Sequence, residues 1–405
     1  ALSGAVADHA TGTNYTGREY KIIVDGEPCD GSASYGASLP NYNDPGFAHG
    51  TTYRICVKLD DGGANINAYG TSMPFEVDTV APSFGSLPLS AEAVDGYLNS
   101  SDANLTTGIS PGVTATDYGS AEYKIIPDGA ACDGSSGYGS IPNHNDDGFV
   151  DGNSYDICVR LTDLAGNVPA YGVSNGGIAV KTIGPSYASL PLSTEAGDGY
   201  LNAADVALNT PATSGATGSF DTAQNKIGAD GESCDTDSGY GGVPNHNSPL
   251  FTDGGSFNLC AKLTDNAGNP AVYGVSTGAV MVDATVPVFT SLALSTELGD
   301  NDLSAEDFGL TTPAASAVNG SGFDSATYKV IAASSSCDGN VGYGDIPNHD
   351  DSGFVYGNNY QICVRLTDEA GNPEAFGTSL AFAASNAVPA FAGLALTAEA
   401  NDGYL

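Results

Sequence analysis

The chain has 405 residues, including 54 glycines and 21 prolines, and its formal net charge is −37 at pH 7. Such a chain repels nucleic acids and anionic membrane surfaces, so we expect no nucleic-acid partner. The sequence contains no run of 18 apolar residues, and we therefore expect no insertion into a membrane.

One unit of about 102 residues recurs along the chain. Pro82, Pro185, Pro287 and Pro389 open successive copies and lie 103, 102 and 102 residues apart. Each copy has short runs of alternating apolar and polar residues between turns rich in glycine, proline and asparagine, which predicts short β-strands. A unit of this size with such strands is typical of a β-sandwich. The expected domains are residues 1–82, 83–184, 185–286 and 287–388, here called repeats 1 to 4.

The two ends of the chain are complementary parts of this unit. Residue 1 matches residue 104, so repeat 1 lacks the counterpart of residues 83–103. Residues 389–405 begin a further copy and supply that counterpart, short of its last five residues. Two explanations stay open: the chain is a segment of a longer tandem array, or residues 389–405 donate a first strand to the next subunit. Both predict that copies of the chain continue head-to-tail.

Each repeat contains two cysteines, 26 or 27 residues apart. The sequence has no C-x-x-C motif and no Cys/His cluster with zinc-finger spacing, so we expect four disulfides, one in each repeat. Such bonds indicate an oxidising compartment, outside the cytosol. The expected pairs are Cys29 with Cys56, Cys132 with Cys158, Cys234 with Cys260, and Cys337 with Cys363.

The run "SYDICVRL" at residues 154–161 predicts which way its cysteine points. Ile157 and Val159 alternate with Cys158 and Arg160, so the two pairs lie on opposite faces of one strand. The apolar pair should face the core, and Cys158 should face outward. We therefore expect the disulfide to hold the glycine-rich loop around Cys132 against the outer face of the sheet.

Three short motifs carry a family resemblance. "DTVAP" at residues 78–82, "GDGYLNAAD" at residues 197–205 and "LTDLAGN" at residues 161–167 resemble bacterial Ig-like tandem repeats of large cell-surface and biofilm adhesins. The resemblance implies an all-β fold of tandem immunoglobulin-like β-sandwich domains arranged as linear beads, in an extracellular or cell-surface location. The cysteine pair and its loop depart from the usual pattern of these repeats.

Oxygen-bearing side chains cluster on a glycine-containing turn that follows the first strand of each repeat, here called the acidic turn. Such ligands suit Ca²⁺. In an Ig-like sandwich this turn should approach the T-D-x-A-G-N turn of the next domain, which predicts Ca²⁺ at the inter-domain joints. The alternative is that the side chains cap their own turns. The candidate ligands are Glu92, Asp95, Asn99 and Asp102; Glu195, Asp198, Asn202 and Asp205; Glu297, Asp300, Asp302 and Asp307; Asp163, Asp265 and Asp368; and the linker residues Asp78 and Asp283.

Basic residues are few and recur at two positions of the unit, which together hold eight of the 11. Both positions point away from the core on strands that should be neighbours. Two interpretations stay open: pairing with loop carboxylates such as Asp133, or an interface for lateral docking of filaments or for anionic polysaccharide. The candidate interface residues are Lys124, Arg160, Lys226, Lys262, Lys329 and Arg365.

Two further side chains recur in the loops. A histidine in three of the repeats is expected to stabilise a turn. A tyrosine follows the first cysteine and is expected either to stack on sugar rings or to cover the disulfide. These residues are His144, His246 and His349, and Tyr138, Tyr240 and Tyr343. Asn14, Asn99, Asn104 and Asn319 lie in glycosylation sequons.

The sequence predicts no catalytic residues and no enzyme activity, because it has no free thiol, no nucleophile with a nearby base and no phosphate-binding loop. The expected function is a structural extracellular filament or stalk. The alternative is an adhesin that binds glycan or surface ligands through its repeats, and a weaker alternative is a cell-envelope layer protein.

Overall fold

The structure is a computed structural model that describes residues 4–32, 34–235, 238–386 and 392–393. The chain forms two compact units. Unit 1 contains residues 1–184 with residues 266–269, and unit 2 contains residues 185–265 with residues 270–405. The division into four domains stays a prediction. Nearly all of the predicted first strand at 389–405 lies outside the described residues.

Repeat 1 forms one four-stranded antiparallel sheet. The long strand β2 pairs with β1 along one edge and with β3 and then β4 along the other. The strands are β1 Gly17–Val24, β2 Thr51–Asp60, β3 Ala68–Thr71 and β4 Phe75–Val77.

Repeat 2 forms a two-stranded sheet, β5 with β7, and a five-stranded sheet in which β9 pairs with β8, β10 and β11. The fifth strand, β6, pairs in parallel with β11. The elements are β5 Ser83–Ser86, β6 Tyr97–Leu98, the 3₁₀ helix Asp102–Asn104, β7 Thr114–Thr116, β8 Ser120–Pro127, β9 Ser154–Thr162, β10 Ala170–Val173 and β11 Ile178–Val180.

Repeats 3 and 4 have the same arrangement as repeat 2. In repeat 3 the elements are β12 Ser186–Ser189, β13 Tyr200–Leu201, the 3₁₀ helix Asp205–Ala207, β14 Thr217–Ser219, β15 Thr222–Ala229, β16 Ser256–Thr264, β17 Val272–Val275 and β18 Val280–Val282. In repeat 4 they are β19 Val288–Ser291, β20 Asp302–Leu303, the 3₁₀ helix Asp307–Gly309, β21 Asn319–Ser321, β22 Ser325–Ala332, β23 Asn359–Thr367, β24 Ala375–Thr378 and β25 Phe382–Ala384.

The alternating pattern of β9 places its apolar residues in the core of repeat 2, as predicted. Ile157, Val159 and Leu161 are fully buried in one apolar cluster. Leu87 and Leu98 from the start of the repeat complete that cluster. Repeats 3 and 4 have equivalent clusters. These tandem immunoglobulin-like β-sandwiches confirm the all-β fold class.

The four disulfides form as predicted, with Cα–Cα distances of 5.4–5.5 Å. In repeat 2, Cys158 lies on the face of β9 that points away from the core cluster, and Cys132 lies in the loop between β8 and β9. The bond attaches that loop, here called the cysteine loop (residues 132–144), to the outer face. Among the described residues no helix is long or apolar enough to span a membrane.

Removal of one disulfide should destabilise its own repeat. The Cys132–Cys158 bond closes a loop with a sequence separation of 26 residues, and closing such a loop stabilises the folded state by roughly 3 kcal/mol on the chain-entropy model. We expect the double variant Cys132→Ala, Cys158→Ala to lower the free energy of unfolding of repeat 2 by about that amount, measured by urea denaturation. Repeat 4, with its disulfide intact, is the internal control. An unchanged transition for repeat 2 would contradict the expectation.

Candidate functional site

An asparagine side chain joins two consecutive repeats within unit 2. The Asn372 Nδ2 group donates a hydrogen bond of 2.8 Å to the carbonyl oxygen of Asp283, in the linker before repeat 4. The Asn372 Oδ1 atom accepts a bond of 2.8 Å from the backbone N–H of Ala203, in the acidic turn of repeat 3. Asn372 is only 4% exposed. We call this two-sided contact the asparagine bridge.

The turn that carries Asn372 is shaped by an aspartate and a glycine. The Asp368 Oδ1 atom accepts a bond of 2.8 Å from the backbone N–H of Asn372. Gly371 has a φ of +77°, a conformation that suits glycine. The recurring T-D-x-A-G-N sequence thus specifies a turn that presents an asparagine amide to the preceding repeat.

A second contact lies beside the bridge in unit 2. The Asn202 Nδ2 group donates to the carbonyl oxygen of Ala370 at 3.2 Å. The Tyr200 hydroxyl donates to the Glu369 carboxylate at 3.0 Å. Together with the Ala203 N–H, these groups of repeat 3 therefore donate three hydrogen bonds to the turn of repeat 4.

Unit 1 contains the same asparagine bridge. Asn269, in the segment 266–269, donates to the Lys181 carbonyl oxygen and accepts from the Ser100 N–H, both at 2.8 Å. Asn167 donates to the Val80 carbonyl oxygen at 3.1 Å. The counterpart in repeat 1, Asn65, hydrogen-bonds to Asp61 of its own turn.

The acidic turns use their carboxylates mainly to cap their own backbone. Asp95 accepts from the Tyr97 N–H at 2.9 Å, and Asp102 accepts from the Asn99 N–H at 3.2 Å. Asp198 and Asp205 in repeat 3, and Asp300 and Asp307 in repeat 4, make the equivalent contacts. These contacts correspond to the alternative interpretation of the acidic turns, in which the side chains cap their own turns.

Six further predicted ligands have partners of their own. Glu92 lies 3.9 Å from His144 and Glu195 lies 4.0 Å from His246, each within its own repeat. Glu297 accepts from the Thr296 hydroxyl at 3.1 Å. Asp265 interacts with a partner of its own. Asp302 accepts from the Ser385 hydroxyl at 2.8 Å, and Asp283 accepts from the Thr285 N–H at 3.1 Å.

No three acidic, histidine or cysteine residues of the described chain converge in a geometry that could hold a metal ion. Three carboxylate oxygens of the predicted ligands nevertheless accept no hydrogen bond although they are buried: Oδ2 of Asp163, Oδ1 of Asp302 and Oδ2 of Asp368. In unit 1, Asp163 lines an open hollow together with Glu76, Asp78 and Asp117. This donor set consists of hard oxygen ligands of the type that Ca²⁺ prefers. The calcium prediction stays a prediction.

A tyrosine covers each disulfide. The Tyr138 hydroxyl lies 2.9 Å from the Sγ atom of Cys158 and donates to the Asp133 carbonyl oxygen at 2.6 Å. The Lys124 ammonium and the Arg160 guanidinium each lie 4.6 Å from the centre of its ring. The Lys329 ammonium and the Arg365 guanidinium lie 4.5 and 4.7 Å from the centre of the Tyr343 ring. The Lys226 ammonium lies 5.1 Å from the centre of the Tyr240 ring. Cation–π contacts therefore recur in the cysteine loops.

The recurring basic residues also pair with carboxylates. Lys124 lies 3.3 Å from Asp133, and Arg160 pairs with Glu122 on the neighbouring strand. Lys329 pairs with Asp338 at 3.0 Å, and Arg365 lies 3.8 Å from Glu374. Lys226 and Lys262 also have partners. The structure therefore places five of the six candidate interface residues in contacts within their own repeats: Lys124, Arg160, Lys226, Lys329 and Arg365.

The three recurring histidines are buried and bind to turn groups. The His144 Nε2 atom lies 2.8 Å from the Ser90 hydroxyl, and its Nδ1 atom lies 2.7 Å from the Thr107 carbonyl oxygen. His246 and His349 have equivalent partners. Each histidine links the cysteine loop to the turn after the first strand, in agreement with the predicted stabilising role.

Sequence reasoning missed the asparagine bridge. The motif was recognised for its aspartate, while Asn167, Asn269 and Asn372 were not singled out. The available signal was the recurrence of A-G-N at one position of repeats 2 to 4, with A-N at residues 64–65 of repeat 1. The direction of the amide could be known only from the structure.

No protein-family model and no curated protein matches this sequence. Among solved structures, a 1.5-MDa bacterial ice-binding adhesin is 16% identical, with 75% of this chain and 98% of that chain covered and a TM-score of 0.32. Drosophila N-cadherin EC1-4 is 12% identical over 95% and 96% of the two chains, with a TM-score of 0.25. Protocadherin gammaB7 EC3-6 is 16% identical over 93% of both chains, with a TM-score of 0.28. Similarity at this level carries no argument about function.

The loop ion pair of repeat 2 should make its stability depend on pH. The hydroxyl and backbone N–H of Ser135, and then the Lys124 ammonium, lower the pKa of Asp133 from 3.8 to about 2. Because the folded-state pKa lies below the unfolded value, this contribution is complete above pH 3.8 and is lost as the pH falls through about 2. We expect the stability difference between the wild type and Asp133→Asn to shrink between about pH 4 and pH 2.

Urea denaturation at a series of pH values measures that difference, and Asp147→Asn, which removes an exposed carboxylate of the same repeat, is the charge control. An NMR titration that places the pKa of Asp133 at its unfolded value would contradict the expectation.

Proposed function

We propose that the protein is a structural extracellular filament or stalk, whose function is to act as a spacer of defined length. The observation that carries this proposal is the asparagine bridge, which recurs where one repeat follows another. Four disulfides support an oxidising, extracellular or cell-surface location. A protein that only needed to string domains together would have flexible linkers without such contacts.

The bridge supports stiffness because it fixes three segments at one point. In unit 2 the Asn372 amide joins the linker carbonyl of Asp283 to the N–H of Ala203. The amide is buried, so breaking the bridge by bending would leave polar groups without partners, at a cost of about 1–3 kcal/mol for each group. The resulting joint resists rotation without a large apolar interface.

Loss of the bridge should loosen the joint between repeats 3 and 4. We expect Asn372→Ala to broaden the distance distribution between dyes placed at the exposed positions 214 and 352 by non-natural amino acids, measured by single-molecule fluorescence energy transfer. The matched control is Asn65→Ala, which alters the corresponding turn of repeat 1, where Asn65 hydrogen-bonds to Asp61 of the same turn. Equal distributions for Asn372→Ala and the wild type would contradict the proposed stiffening.

Calcium is proposed as an additional stabiliser of the joint in unit 1. The support is the partnerless Oδ2 atom of Asp163 beside the hollow that Glu76, Asp78 and Asp117 also line. Bound Ca²⁺ would neutralise carboxylates that repel one another in a chain of net charge −37.

The calcium proposal predicts that a chelator lowers the melting temperature of unit 1. Asp163→Asn should remove this response, because it keeps the oxygen that accepts from Asn167 and deletes the charge. Calorimetric titration should detect binding with a Kd of about 10⁻⁴–10⁻³ M, as in extracellular calcium modules. No binding at millimolar Ca²⁺, with identical melting in chelator, would contradict the proposal.

An adhesin that binds glycan through its cysteine loops is a second candidate. The observation in its favour is an open polar hollow beside the loop of repeat 4, lined by Lys329, Asp345 and Asp351 among others. The tyrosine of that loop already contacts two cations and the disulfide sulfur, which leaves less of its ring for a sugar. A glycan array that gives a signal lost on Tyr343→Ala would favour this candidate over a spacer.

A further inference from the structure

One position of the repeat has a buried tyrosine in three copies and an asparagine in repeat 3. The tyrosines lie in β1, β8 and β22, and Asn225 lies in β15, in the same register with the central strand of its sheet. Ala223 and Ile227, two residues before and after Asn225, pack against the core cluster of repeat 3. Asn225 therefore lies on the core face, and it is only 4% exposed. The three tyrosines are Tyr20, Tyr123 and Tyr328.

The polar atom of this side chain has a partner in other repeats but not in repeat 3. The Val318 N–H donates to the Tyr328 hydroxyl at 3.4 Å, and the Tyr20 hydroxyl lies 3.1 Å from the His9 Nδ1 atom. The Asn225 Oδ1 atom is buried and accepts no hydrogen bond from any described group. A buried polar atom without a partner destabilises the folded state. Repeat 3 thus loses an aromatic ring from its core and has a carbonyl oxygen without a partner there.

A second position weakens the same strand. Three residues further on, β15 has Gly228, where β1, β8 and β22 have isoleucine. The isoleucine of β8, Ile126, is buried. Residues three apart in a strand lie on opposite faces, so Gly228 and Asn225 are on the two faces of β15. Because glycine has no side chain to pack and weakens a strand interior, β15 lacks one apolar anchor on each face that its counterparts have.

The surroundings of β15 allow it to leave the sheet without being lost. It pairs with β16 from Thr222 to Ala229, and among the described residues its other edge forms one bridge, at Gly241. Shortly after β15 the chain reaches Cys234, which is bonded to Cys260 in the middle of β16. A detached β15 would therefore stay attached to its neighbouring strand at one end.

We propose that β15 is a strap that opens and recloses while the rest of repeat 3 stays folded, anchored at one end by the Cys234–Cys260 disulfide. Segments with the weakest packing open locally at a lower free energy than the whole domain. The strap goes beyond the proposed structural function, because it assigns to one repeat the place where the stalk yields first. The anchor keeps the opened strand close to β16, so the opening is reversible.

Hydrogen exchange of the 405-residue chain with intact disulfides tests the strap by comparing equivalent strands. We expect the β15 amides to exchange at least about tenfold faster than the β8 and β22 amides, since a buried polar atom without a partner costs about that factor or more in stability. The β16 amides should stay as protected as those of β9 and β23. Equal rates in β15, β8 and β22 would overturn the proposal. Equal acceleration of β15 and β16 would also overturn it, because repeat 3 would then open as a whole.

The variant Asn225→Leu tests the cause of the opening. Leucine branches as asparagine does but has no polar atom that needs a partner, so exchange in β15 should slow at least about tenfold. The matched control is Gln224→Leu, at the exposed neighbouring position of the same strand, and it should leave the β15 exchange unchanged. Unchanged or faster exchange in Asn225→Leu would overturn the proposal.

The reciprocal variant Tyr123→Asn transfers the asparagine to repeat 2 and serves if Asn225→Leu does not fold. It should raise the exchange of the β8 amides towards that of β15, while the β9 amides stay protected. Exchange in β8 that stays at the wild-type rate would overturn the proposal. A stiff joint between repeats 3 and 4 would then still leave the structural function standing.

Discussion

Closure of each repeat by its first strand is the constraint on which the rest of the structure depends. In repeat 2 this segment seats Phe84 on Gly172, places Leu87 and Leu98 in the core and provides the parallel partner of β11. Its acidic turn then presents the Ser100 N–H to an asparagine of the segment 266–269. One stretch of about 20 residues therefore completes the core, the sheet edge and the joint.

The charges of the chain are arranged to serve the same architecture. Carboxylates cap the acidic turns, and the few cations lie over tyrosines that cover the disulfides. These local uses leave an excess of negative charge, which disfavours close lateral approach of copies in the absence of cations. The asparagine bridges, in contrast, are made by neutral amides and backbone groups, which are little affected by salt.

Much of the fold could be predicted because it depends on local periodicity and on the spacing of cysteines. The alternation of apolar and polar residues in β9 predicted the face on which Cys158 lies. The recurring separation of 26 or 27 residues between two cysteines predicted all four disulfides. The asparagine bridge could not be predicted in the same way, because A-G-N is a common turn sequence and the direction of a side-chain amide is a tertiary property. The packing of Phe84 on Gly172 was equally hidden. A glycine in a strand has several explanations, and only the distance to the ring distinguishes them. The calcium prediction relied on ligand type and on the expected position of the acidic turn, while most of these carboxylates cap backbone N–H groups.

Urea denaturation of Gly172→Ala tests the central claim most directly, since the added Cβ atom would lie 2.2 Å from the Phe84 ring and displace the first strand of repeat 2. The account predicts a lower free energy of unfolding for repeat 2 and faster hydrogen exchange at Ala179 and Lys181, whose N–H groups bond to Gly96 and Leu98. An unchanged free energy of unfolding with unchanged exchange at these two N–H groups would contradict it.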